Sequence, residues 1–80
     1  MLTELSAQPR VVGAKQVKRA IDAGTAARVF LARDADPRIT EPLNAACQEK
    51  GIPVEADASM RELGTACGIA VGSAVAALLK

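Results

Sequence analysis

Short apolar runs alternate with helix-forming segments, and this alternation constrains the fold of the 80-residue chain more than any other feature. The apolar runs lie at 11–12, 28–33, 52–56 and 74–79, and helices are predicted between them at 15–23, 37–50 and 59–68. The elements therefore follow the order β-α-β-α-β-α-β. Connections of this kind place helices on both faces of a sheet, so we expect an α/β fold in one domain spanning 1–80, with a loosely ordered N-terminus at 1–9.

Local signals set the predicted helix boundaries. Asp36 can cap the second helix, with Pro37 in its first turn, and Ser59–Glu62 has the pattern of a capping box for the third helix. Pro53 predicts that the third strand lies at a sheet edge or that the proline is at its start. The second helix is expected to bury four side chains, namely Ile39, Leu43, Ala46 and Cys47.

The composition is aliphatic and almost free of aromatic rings. Half of the residues are hydrophobic, and Phe30 is the single aromatic residue. The aliphatic content excludes a disordered chain. The lack of rings disfavours an aromatic cage for cations and the binding of single strands by base stacking.

The net charge of +1 conceals an asymmetry along the chain. Residues 1–33 carry six basic and two acidic side chains, whereas residues 34–80 carry four basic and seven acidic ones. This distribution is compatible with a basic face that binds a polyanion, and equally with a mixed solvated surface.

Catalysis and metal binding find little support in the sequence. The chain has no histidine, and its two cysteines, Cys47 and Cys67, lie twenty residues apart, so we expect buried thiols, no metal, no cofactor and no enzyme activity. Residues 63–79 carry no charge, but they are too short for a membrane span and contain three glycines. Because no signal peptide is visible either, we expect a cytoplasmic protein without a membrane partner.

Two segments are candidate binding sites. The first helix begins without a side chain that caps well, which leaves its amides available to a phosphate, and basic residues follow at once. The loop at 68–72 places three apolar residues between two glycines, which suggests an apolar contact surface. The alternatives are a weakly capped, solvated helix end and a loop whose Ile69 and Val71 fold back into the core. The candidate residues of the two segments are Gly13, Ala14, Lys15, Gln16, Lys18 and Arg19, then Ile69, Ala70 and Val71.

Three motifs occur in order along the chain: Gly13-x-Lys15-Gln16-x-x-Arg19, then Asp34–Ala35–Asp36–Pro37, then Leu63–Gly64-x-Ala66–Cys67–Gly68–Ile69-x-Val71. Through them the chain resembles, from about 11 to 79, the kink-turn-binding ribosomal proteins of the L7Ae and L30e type, and is most similar to the short bacterial members. The resemblance implies an α-β-α sandwich around a mixed four-stranded sheet. It also implies a non-catalytic, ribosome-associated protein that binds sharply bent RNA closed by sheared G·A pairs.

The resemblance also implies roles for individual residues. Lys15 and Gln16 stand where most members have Asn and Glu, and Arg19 replaces Lys, in the group that meets the sheared guanines. Asp36 matches an acidic position near a flipped-out nucleotide, and the loop containing Ile69 matches the segment that packs against that base. The expected partner is a kink-turn in ribosomal RNA or a riboswitch, bound by a monomer, with no DNA partner. A protein-interaction module on the same fold is the alternative.

Overall fold

The structure, a computed structural model, describes residues 8–69 and 72–80. Its helices and strands confirm the predicted alternation. In chain order they are β1 (Arg10–Val12), α1 (Ala14–Ala23), β2 (Ala26–Leu31), α2 (Pro37–Lys50), β3 (Val54–Glu55), α3 (Met60–Ala66) and β4 (Val75–Leu79).

The strands form a mixed four-stranded sheet, as the resemblance implied, and their order is β1-β4-β2-β3. The central strand β4 runs antiparallel to both β1 and β2, while β3 pairs with β2 in parallel. β3 is an edge strand of two residues, shorter than the predicted 52–56. Pro53 immediately precedes it, and the Pro53 carbonyl accepts a hydrogen bond of 3.0 Å from the Val29 N–H, so the pairing continues where proline itself cannot donate.

Side chains of the central strands alternate between the two faces of the sheet, as the twofold period of a strand requires. On one face, Val75 and Ala77 pack with α1 and α2, in a cluster that also contains Val17, Ala20, Ile21, Ala26, Val29, Leu31, Leu43 and Cys47. On the other face, Ala76 and Leu78 pack with α3, in a cluster that also contains Phe30, Ala32, Ala35, Leu63 and Cys67. The sheet is therefore covered by helices on both sides, which confirms the three-layer α-β-α sandwich.

The prediction that α2 buries Ile39 is wrong. Ile39 keeps 40% of its surface exposed, whereas Leu43 and Cys47 on the same side of the helix are buried and Ala46 is partly buried. Ile39 belongs to the first turn of α2, and the core takes its residues only from the later turns. Helical periodicity identifies the face of a helix but not how far along the axis that face is covered.

Candidate functional site

The sheet topology brings the starts of the three helices to one end of the molecule. Because β1 and β2 are antiparallel to β4, and β3 is parallel to β2, the ends of β1, β2 and β3 lie where β4 begins. A hydrogen bond of 3.2 Å runs from the Gly13 N–H to the Val75 carbonyl, and one of 2.8 Å runs from the Ala32 N–H to the Ala74 carbonyl. Each of these strands is followed by a helix, so α1, α2 and α3 all point their N-termini towards this end, which we call the helix-start end.

The start of α1 has the uncapped geometry that the sequence predicts. Gly13 occupies the N-cap position with φ of +98°, which an L side chain rarely adopts, and no side chain bonds to the free amides of the first turn. Lys15, Gln16 and Arg19 are exposed, and no partner for their side chains lies within residues 8–69 and 72–80. Lys15 and Arg19 are four residues apart and share a face opposite the buried Val17. Ala14 is exposed beside them.

Lys18 differs from its basic neighbours because it has an acidic partner. Its ammonium Nζ lies 2.8 Å from Oδ1 and 3.1 Å from Oδ2 of Asp22, one helical turn further on. Both side chains are about half exposed, so the pair contributes little to stability. The charge of Lys18 is nevertheless partly neutralised, which leaves Lys15 and Arg19 as the uncompensated cations of this helix face.

Asp36 caps α2, as predicted. Its carboxylate accepts a hydrogen bond of 2.9 Å from the backbone N–H of Arg38, and it also binds the Arg38 guanidinium. Both interactions lower the pKa of Asp36 below its usual value, and the bond to the guanidinium has the larger effect. Asp36 therefore caps α2 and also lies at the helix-start end.

The apolar loop presents Ile69 to solvent. Ile69 keeps 37% of its surface exposed, so it does not fold back into the core. Ala70 and Val71, the other two predicted contact residues of this loop, lie outside the described residues. The loop leaves α3 next to Arg10, whose Nη2 donates a hydrogen bond of 2.7 Å to the Cys67 carbonyl.

Met60 joins the loop to the aspartate-rich turn. The Met60 N–H donates to Oδ1 of Asp34 over 2.7 Å, and the Met60 carbonyl accepts from the Ser73 N–H over 3.0 Å. Gly72 lies so close to Met60 that a Cβ at this position would be 3.3 Å from its backbone atoms. Sequence reasoning missed the contacts of Asp34, Met60 and Arg10, because the partners of these residues are distant in the chain.

We expect Asp34→Ala to lower the free energy of unfolding by about 1 kcal/mol, because it removes the acceptor for the first amide of α3. Asp34→Asn keeps an acceptor oxygen and is expected to lie near the wild type. Urea denaturation of the three proteins measures the difference. Equal midpoints for Asp34→Ala and the wild type would show that the bond to Met60 has no part in holding this end together.

The two cysteines are buried thiols, as predicted. Burial raises the pKa of both Cys47 and Cys67, which disfavours the thiolate that a nucleophile needs. Across residues 8–69 and 72–80 no cluster of three or more His, Cys, Asp or Glu side chains is placed to hold a metal ion. In the same residues no helix has the length and apolar character to cross a membrane.

Comparison with known proteins shows which family the chain belongs to. The family model described as ribosomal protein L7Ae/L30e/S12e/Gadd45 matches residues 4–80. The chain belongs to this family. Its membership confirms the resemblance seen in the three motifs, and the helix-start end is thus a candidate site of an L7Ae-family protein.

Relatives within the L7Ae family are named as RNA-binding proteins. One from Caldanaerobacter subterraneus is 46% identical over 68 residues, covering 85% of this chain and 83% of its own length. Another, from Geobacillus kaustophilus, is 46% identical over 76 residues, covering 95% and 93%. The solved structure of the Giardia lamblia 15.5 kD RNA-binding protein superposes with a TM-score of 0.88 at 35% identity, covering 99% of this chain and 68% of that one.

Proposed function

We propose that this chain is a non-catalytic RNA-binding protein that recognises and stabilises kink-turns in structured RNA. The observation that carries the proposal is the meeting of the basic start of α1 and the Asp36 turn at the helix-start end. The loop that carries the exposed Ile69 reaches the start of α3 at Ser73, whose N–H bonds to the Met60 carbonyl. The family and the names of its RNA-binding members support the RNA-binding part of the proposal.

The helix-start end suits a polyanion that is already folded. The positive ends of three helix dipoles point towards it, and the amides of the first turn of α1 have no side-chain acceptor. Phosphate oxygens can accept from these amides and from Lys15. Because few cations are involved, binding should depend only modestly on salt, with a slope equivalent to about two to four phosphate contacts.

Arg19 and Gln16 are the side chains proposed to contact bases. A guanidinium donates two hydrogen bonds to O6 and N7 of a guanine, and an amide both donates and accepts. Sheared G·A pairs expose such edges where the strand bends. Lys15 cannot accept a hydrogen bond, so it contributes charge where most of the family would place an asparagine.

The Ile69 loop is proposed to cover the nucleotide that the bend extrudes. The exposed Ile69 offers an apolar surface to the unstacked base. Ala70 and Val71 join this surface by resemblance. Because the surface fits the bent RNA only, binding shifts the RNA from its extended to its kinked form.

A direct titration tests the proposal. The wild-type protein is titrated into a labelled kink-turn RNA and into a duplex of matched length, in which Watson–Crick pairs replace the loop and the G·A pairs. We expect tight binding to the kink-turn and weak, salt-sensitive binding to the duplex. Equal affinity for both would exclude kink-turn recognition. A ribosomal kink-turn and a riboswitch kink-turn tested side by side would show which of these two RNAs the protein binds more tightly.

We expect Ile69→Ala to weaken kink-turn binding by about 1–2 kcal/mol, because it removes part of the apolar surface over the extruded base. Its effect on the free energy of unfolding should be small, since the side chain is exposed. Ile52→Ala is the matched control: Ile52 packs against the core at the opposite end of the sheet, so its loss should lower stability and leave affinity unchanged. Unchanged affinity for Ile69→Ala, together with weaker binding by Ile52→Ala, would show that the loop is not part of the site.

A further inference from the structure

Arg38 is an exposed cation that the sequence analysis did not connect with binding. It lies in the first turn of α2, at the helix-start end, and 88% of its side chain is accessible. The Asp36 carboxylate bonds to one edge of its guanidinium: Nε lies 3.1 Å and Nη2 lies 2.8 Å from Oδ2, and Nε also lies 3.3 Å from Oδ1. An arginine at this position therefore presents the remaining edge of its guanidinium outward.

The hydrogen-bonding capacity of Asp36 is used up by Arg38. A carboxylate offers about four lone-pair positions. Oδ1 accepts from the Arg38 backbone N–H and from Nε, and Oδ2 accepts from Nε and Nη2. A nucleotide could bond to this carboxylate only by displacing the Arg38 backbone N–H, which Asp36 caps, or the Arg38 guanidinium. The free donors at this place belong to Arg38, because both hydrogens of Nη1 and one of Nη2 have no partner in residues 8–69 and 72–80.

We propose that Arg38 binds a backbone phosphate of the RNA beside the extruded nucleotide, and that Asp36 is a positioning residue that aims the guanidinium. This inference rests on the proposed function and adds a contact from α2 to those of α1. The chemistry is a charge-assisted hydrogen bond from a planar fork to phosphate oxygens. Asp36 fixes the fork before binding, so less side-chain freedom is lost when the phosphate arrives.

The test is a double-mutant cycle on kink-turn binding, with affinities measured at several salt concentrations. Arg38→Ala should weaken binding about tenfold. It should also reduce the slope of log affinity against log salt by about 0.7–0.9, the value for one phosphate contact. Arg38→Lys keeps the charge but not the fork, so it should restore most of the salt slope and only part of the affinity. Lys50→Ala, which removes one positive charge at the last turn of α2, should change neither.

The Asp36→Asn variants of the cycle distinguish a positioning role of Asp36 from direct contact between Asp36 and the RNA. Asp36→Asn retains a helix-capping side chain, so the protein stays folded, and thermal melts of every variant confirm this. If Asp36 acts through Arg38, Asp36→Asn weakens binding in the wild type but not in the Arg38→Ala background. An equal loss in both backgrounds would overturn the positioning role, and wild-type affinity and slope for Arg38→Ala would overturn the phosphate contact. A wild-type protein that fails to prefer the kink-turn over the duplex would instead refute the proposed function.

Discussion

Replacing Arg19 with alanine is expected to weaken binding to kink-turn RNA by about 1–3 kcal/mol, the range for an arginine that bonds two acceptors of a guanine. Arg19 has no competing partner in the described part of the chain and shares its exposed face with Lys15. The change leaves α1 intact, because alanine is a good helix former and Val17 keeps its buried position. Fluorescence titration with the kink-turn and the matched duplex measures the loss on each RNA.

Lys18→Ala is the matched control on the same helix. Lys18 is paired with Asp22, so removing it should cost less affinity than removing Arg19. If Arg19 reads a guanine, its loss should fall mainly on the kink-turn and leave duplex binding nearly unchanged. A change within experimental error for Arg19→Ala would remove this residue from the site and favour the alternative of a protein-interaction module.

Replacing Phe30 with alanine is expected to lower the free energy of unfolding by about 3–5 kcal/mol. Phe30 is the largest buried side chain, is 2% exposed, and packs between β2 and α3 with Leu63 and Cys67. Small domains of this size have a total stability of about 5–15 kcal/mol, so the variant should be partly unfolded near physiological temperature. Urea or thermal denaturation followed by circular dichroism measures the loss.

Ile39→Ala provides the comparison, since it also removes a large apolar side chain. Ile39 is 40% exposed in the first turn of α2, so its loss should cost about 1 kcal/mol or less. A similar loss for both variants would mean that the α3 face of the sheet is not the tightly packed layer that the structure describes.

Most of the fold was predictable because its signals are local. The αL glycines Gly24 and Gly51 end α1 and α2, and Asp36 and Ser59 cap α2 and α3, each through contacts within a few residues. Such signals depend on backbone geometry that a short segment determines by itself. The mixed direction of the strands followed from the family resemblance and not from these signals, and the strand order was not predicted.

The parts that sequence reasoning missed depend on contacts between distant residues. The bond from Arg10 to the Cys67 carbonyl spans 57 positions, and that from Met60 to Asp34 spans 26. Nothing in either segment alone indicates its partner. The exposure of Ile39 likewise depends on where the core ends. By contrast, the Lys18–Asp22 pair has the helical i, i+4 spacing and could have been found in the sequence.

Only part of the candidate site could be predicted from the sequence. The uncapped, basic start of α1 and the apolar loop were recognised as separate features, and the resemblance joined them. The antiparallel pairing of β4 with β1 and β2 explains in physical terms why the start of α1 and the start of α2 lie at one end of the sheet. Arg38 was not among the predicted site residues, because the proposal for it rests on its geometry with Asp36, which composition and spacing do not show.

The most direct test of the central claim measures the shape of the RNA as the protein binds. A kink-turn RNA carries a donor fluorophore on one helix and an acceptor on the other, and is kept without divalent ions so that it starts extended. Adding the wild-type protein should raise the energy-transfer efficiency along a saturable curve, while a matched straight duplex should show no rise. Binding without any increase in transfer, or the same response from both RNAs, would contradict kink-turn recognition.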